Sequence, residues 1–136
     1  MISVYNSVLA QPALAQGVQT GNSAHVGATV DTALFGNMFR SIQFVISAQA
    51  ITDGVHTFSV QECTTSGGTY TPVDPTRVQG SVVVTSAGGS TLYALGVHHT
   101  LRFVQLVDTI TASTTGGVFS AVALGGASSK GPVARA

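Results

Sequence analysis

Charge is what this chain is shortest of. Only 7% of its 136 residues are charged, against about 25% in an ordinary globular domain, so its solvent-facing surface has to be built from Ser, Thr, Gln, Asn and Gly. Five basic and five acidic side chains cancel to a formal charge of zero. No field is left to gather phosphates, anionic lipid or an acidic substrate, which argues against nucleic acid and membrane as direct partners. An uncharged polar surface desolvates cheaply, and interface cores are depleted in Lys, Glu and Asp. The composition favours a subunit of an assembly over a free monomer.

Cysteine is almost absent too. Cys63 stands alone, so no internal disulfide forms and no cysteine-rich secreted framework exists. A useful thiolate needs a base or positive charge beside it. His56 lies seven positions earlier on the same expected strand, too far to serve, and Cys63 reads as a buried or strand-end thiol. Tryptophan is missing, and Tyr5, Tyr70 and Tyr93 are scattered, which weakens a carbohydrate-binding sandwich with its aromatic platforms. No run of about 18 apolar residues occurs, and "MISVYNSVLAQPALAQG" has no basic segment ahead of its apolar residues. The expectation is a chain neither exported by a signal peptide nor spanning a membrane.

What is present is β pattern. In "FRSIQFVIS" Ile42, Phe44 and Ile46 fall on one face and Gln43, Val45 and Ser47 on the other, the period of a half-buried strand. The stretch "ITDGVHTFSVQECTTSGGTYTPV" reads as a hairpin. Phe58 and Val60 point one way, Asp53-Gly54 supplies a turn, Gly67-Gly68 offers the positive φ of a hairpin loop, and Pro72 confines the return strand to an edge. Further strands are expected at 81–85, 91–97, 101–112 and 117–124, with glycine pairs between three of them. The run 101–112 is apolar on both faces, as in a central strand or one covered by a neighbouring subunit. No long 3.6-residue period appears. The predicted fold is all-β: a single-domain antiparallel β-sandwich, jelly-roll or immunoglobulin-like in connectivity. Its core spans 36–124. An extended N-terminal arm over 1–35 carries short strands at Val4–Leu9 and His25–Val30, and a flexible tail over 125–136 holds Lys130 and Arg135.

Chemistry-bearing residues are few. His98-His99 is the most conspicuous pair, but neighbours on a strand point to opposite faces, and no ligand set accompanies them. They read as loop or interface histidines. Asp31, Asp53 and Asp108 lack the D-x-D-x-D spacing of a calcium loop and read as turn and capping residues. No G-x-S-x-G elbow or phosphate loop occurs. Arg40 and Arg102 sit within apolar strands, where an unpaired charge is costly, so each pairs with a carboxylate or reaches an interface. Arg40, Arg102, His98 and His99 are the candidate interface residues. Catalysis needs converging titratable groups, and the chain is expected to be no enzyme and to need no cofactor or metal.

The segments "TVDTALFGNMFRSIQFVISAQAITDGVHTFSVQECTTSGGTYTPV" and "YALGVHHTLRFVQLVDTITASTTGGVFSAVAL", roughly positions 29 to 124, resemble a family of small tailed-phage virion proteins encoded beside the major capsid protein. The resemblance rests on Val30-Asp31, "FVIS" with "ITDGVHTFSVQE", a Gly-bearing turn before "TYTPV", and the closing "TTGGVFSAVA". Cys63 and "TTSGG" depart from it, where relatives carry a serine and an Asp-Gly turn. It implies a β-sandwich head protein: a decoration or cement protein on the outside of the shell, made in the host cytoplasm, with the major capsid protein and itself, as a homotrimer, for partners. A head-tail connector or tail component is the alternative, and a carbohydrate-binding module a second. It implies no catalytic residues.

Overall fold

In the computed structural model, which describes residues 3–128 and 132–135, one helical turn precedes eleven strands. The turn is α1 (Val4–Ser7), and the strands are β1 (Leu9–Gln19), β2 (Ala24–Val26), β3 (Val30–Asp31), β4 (Ser41–Ile51), β5 (Val55–Cys63), β6 (Thr71–Pro72), β7 (Val78–Gln79), β8 (Val82–Val84), β9 (Thr91–Val97), β10 (Phe103–Thr111) and β11 (Gly117–Gly126). They form two antiparallel sheets, ordered β1-β11-β4-β9-β7 and β2-β10-β5-β6, with β3 on β10 and β8 on β5 in the second. From β4 onward the long strands β4, β5, β9, β10 and β11 alternate between the two sheets along the chain, as in a sandwich.

Period-2 alternation explains the pairing of faces. β4 buries Ile42, Phe44, Ile46 and Ala48, β11 buries Phe119, Ala121 and Ala123, and β9 buries Leu95 and Val97. Phe58 and Val60 of β5 and Val104 and Leu106 of β10 meet them from the opposite sheet. Each Ile, Leu, Val or Phe among these contributes roughly 1.5–3 kcal/mol by leaving water, and each Ala less. Phe58 and Phe119 lie edge to face at 5.3 Å between ring centroids. β10 runs between β5 on one side and β2 and β3 on the other. It is a central strand, and its outer face is covered too, since Gln105 and Val107 are buried.

Five features differ from the sequence reading. Residues 9–19 form an integral strand of the first sheet, paired with β11 from Leu9 to Gln19, where an arm was expected. The reason is alternation hidden by weak residues: Leu9, Gln11 and Ala13 face inward, and Pro12 is tolerated because β1 is an edge strand. Val4–Ser7 is a helical turn capped by Ser3, whose side chain accepts from Asn6 N, and the strand expected at 25–30 is split into β2 and β3. Gly67 and Gly68 are not among the positive-φ glycines. A long loop joins β5 to β6, and Gly68 serves close approach instead, because a Cβ there would lie 2.4 Å from Thr65 Oγ1. At the other terminus β11 runs on to Gly126, and Val133 is buried with its N–H on Asn6 O. Lys130 lies outside the described residues.

Candidate assembly interface

Antiparallel register gathers the expected interface residues at one end of the sandwich. β4 begins there after Arg40, β9 ends there before His98 and His99, and β10 begins there after Arg102. Among the described residues, every charged side chain except Asp53 and Asp108 is at this end. Arg102 grips Asp31 through two hydrogen bonds, Nε to Oδ1 and Nη2 to Oδ2, each 2.9 Å, and stacks over the Phe103 ring at 5.0 Å. This Arg102 contact, with the Ala33 N–H, holds the Asp31 carboxyl below its usual range. Arg135 donates to the carbonyls of Tyr5 and Val8. Arg40 is exposed and has no ion pair or side-chain hydrogen bond among the described residues. His98 is exposed, while His99 is half-buried, its Nδ1 3.0 Å from Leu101 O and its Nε2 2.8 Å from Phe39 O. The two neighbouring histidines therefore have different jobs: one faces solvent, the other ties the β9–β10 loop to the start of β4.

The pair the sequence reading missed is Glu62 and Arg77. Burial alone would raise the Glu62 carboxyl, but the Arg77 guanidinium at 2.9 Å, the Thr100 and Leu101 N–H groups and the Thr100 hydroxyl converge on it and hold it at about 2. A signal was available. Glu62 falls on the inward phase of β5 with His56, Phe58 and Val60, and a carboxylate on an apolar face requires a partner.

The outer face of the first sheet is the opposite of this end. Reading across the register, Pro12, Val122, Val45 and Ala94 stand in one row, and Ala10, Leu124, Gln43, Gly96 and Gln79 in the next. Ser120, Ser47 and Leu92 make a third. None is charged. A shallow depression of ≈ 460 Å³ among Val8, Gln43, Gln79, Ala94, Gly96 and Leu124 has no titratable lining residue. Strands of 11, 10, 11, 7 and 2 residues, at about 3.3 Å per residue and about 4.8 Å apart, present on the order of 600 Å² in plan, close to one side of a standard interface, about 800 Å².

Asp53, Asp108 and Cys63 are each held in place by the fold. Asp53 caps the turn before β11: the Thr114 hydroxyl and the N–H groups of Gly116, Thr115 and Thr114 all donate to it, which depresses its carboxyl strongly. Asp108 is no turn residue, contrary to expectation. It is buried on β10 opposite Phe58, its Oδ2 2.9 Å from His56 Nδ1 and its Oδ1 without a hydrogen-bond partner among the described residues. Burial raises its pKa against the pull of His56. Asp31 lies apart from the other two, and among the described residues Asp53 and Asp108 are linked only through His56, whose Nε2 is 3.4 Å from the Asp53 carbonyl oxygen. Cys63 is a buried thiol at the last position of β5, 3.9 Å from Thr65 Oγ1. Among the described residues no group of three His, Cys, Asp or Glu is placed to hold a metal ion.

No protein-family model matches the chain, and no curated protein does. Among solved structures, the crystal structure of PBSX exported protein XepA has a similar fold, with a TM-score of 0.62 at 14% sequence identity, covering 100% of this chain and 42% of that one. The chain spans less than half the length of this neighbour, and at that identity the likeness is one of fold.

Proposed function

We propose that the chain is a structural protein of a phage particle, a decoration or cement protein that binds the outside of the head shell and ties major capsid subunits together. The observation that carries this reading is the segregation of charge: one end of the sandwich is ionic, while a whole sheet face is left uncharged and broad enough for a subunit contact. Such a face can be covered without stripping hydration from ions. The resemblance in the sequence and a phage-related fold neighbour support the phage context. In this reading the uncharged face joins copies of the chain into a homotrimer, and the ionic end meets the shell. No catalytic step, cofactor or metal enters it.

Copy number tests the proposal. Quantitative mass spectrometry of purified particles should give this protein in near-stoichiometric ratio to the major shell subunit. A handful of copies per particle moves it to the connector or tail. The exported character of the fold neighbour favours a second reading, a phage protein released from the cell. Absence from particles with accumulation in the medium would select it.

A further inference from the structure

The loop 32–40, between β3 and β4, displays two large apolar side chains for which the fold gives no reason. Phe35 lies at φ 56°, ψ 27°, in the left-handed region that side chains disfavour, and Gly36 follows at φ 77°. This reversal lets Leu34 and Phe39 pack on the core. Glycine or asparagine at position 35 would make the same reversal without the strain. The chain instead places a ring there, 48% exposed, and three residues on adds Met38, 58% exposed.

Strained backbone persists where its surroundings fix it, and this loop is pinned along its length. Phe39 N donates to Thr32 O (3.0 Å), and Thr32 Oγ1 donates to Arg102 O (2.6 Å). Asn37 Nδ2 donates to Leu34 O (3.0 Å) and Ala134 O (2.8 Å), and its Oδ1 accepts from Ala134 N (2.9 Å). Phe35 and Met38 are therefore held out by a preorganised frame, which lowers the ordering cost of binding. Between this loop and the β9–β10 connection runs a groove of ≈ 310 Å³, lined among others by Thr32, Ala33, Met38, His99, Leu101 and Arg102. Arg40 is next in the chain to Phe39 of its wall. Arg77 and Arg102 have carboxylate partners and Arg135 has carbonyls, whereas the Arg40 guanidinium has no partner among the described residues.

We infer that this loop and groove are a docking site for an extended segment of a shell protein, which brings a carboxylate to Arg40 and apolar side chains to Phe35 and Met38. Aromatic, Met and Arg side chains are those enriched where binding energy concentrates. A single unpaired cation matches one carboxylate, whereas a nucleic acid backbone would need a row of cations. The inference rests on the cement reading for the identity of the partner.

The test uses shells purified from particles assembled without this protein, to which the wild-type chain and the variants Phe35→Gly, Met38→Ser and Arg40→Glu are added, with bound copies counted after sedimentation. Phe35→Gly removes the ring and relieves the backbone, so it should keep or raise the melting temperature while weakening shell binding at least tenfold. Met38→Ser, at an exposed position, should weaken binding without unfolding the chain. Arg40→Glu should weaken it at least tenfold and invert the salt dependence of the wild type, because salt would then screen a repulsion between two carboxylates. Wild-type binding with all three variants within twofold of it would overturn the docking site and leave the cement reading standing. A wild-type chain that does not bind shells at all would overturn both.

Discussion

Glu62 enters the sandwich on the inward face of β5 with 4% of its surface exposed, and it stays ionised because Arg77, Thr100 and Leu101 surround it with donors. Its carboxyl falls from 4.5 to about 2 in the folded chain. A depressed carboxyl contributes stability that is present above its unfolded pKa and is lost as pH falls through the folded one. Asp31 and Asp53 act with the same sign. Asp108 acts against them: burial raises it, its neutral form is favoured in the fold, and stability is lost as pH rises from 3.8 through its folded pKa. Replacing Glu62 with Gln should cost about 2 kcal/mol at neutral pH, through the unpaired Arg77 and weakened loop contacts. It should also flatten the pH dependence between 4.5 and about 2, which urea unfolding across that range would show. An unchanged acid slope would mean that Glu62 is not the group that titrates.

Among the elements, the turn between β10 and β11 carries more of the architecture than its size suggests. Gly116 sits at φ +84°, and a Cβ on it would lie 2.0 Å from Gln19 O. Its N–H goes to Asp53 and its carbonyl accepts from Thr52 N. The turn thus locks the end of β1 and the β4–β5 corner together. Gly116→Ala should destabilise the fold by more than about 2 kcal/mol, since it adds both backbone strain and a clash with main chain. Gly17→Ala, in the same sheet with nothing within 4 Å, should change stability by less than about 1 kcal/mol. Thermal unfolding of the two variants side by side makes the comparison. These elements were unequally legible. β9 is found over the expected residues 91–97, and β4 and β5 bury the faces their alternation foretold, because each pairs strong apolar residues with polar neighbours. β1 escaped notice because Gln11 and Ala13 occupy its inward positions and Pro12 and Gly17 dilute it. Those residues become strand only when β11 is there to pair with them.

Over the whole molecule, the separation of an ionic end from an uncharged sheet face is the feature on which the proposed assembly rests. Val122 lies in the middle of that face, 43% exposed, flanked in register by Pro12 and Val45. Val122→Glu should leave the unfolding free energy within about 0.5 kcal/mol of the wild type. It should shift the sedimentation mass from trimer to monomer, because a charge would then be buried without a partner. A trimer that survives the substitution would mean that copies meet elsewhere, and a wild type monomeric at every concentration would remove self-association from the functional reading.

That this is an all-β chain with a sandwich core follows from local pattern, since period-2 burial is a property each strand carries alone. The scarcity of charge on its surface follows from composition, which is blind to folding. Where that charge goes is set by contacts between distant segments. Asp31 and Arg102 are 71 positions apart and Glu62 and Thr100 are 38 apart, and no local pattern brings them together. The burial of Asp108 against His56, the left-handed turn that turns Phe35 outward, and the uncharged rows across five strands are likewise products of register, which exists only once strands distant in the chain have paired.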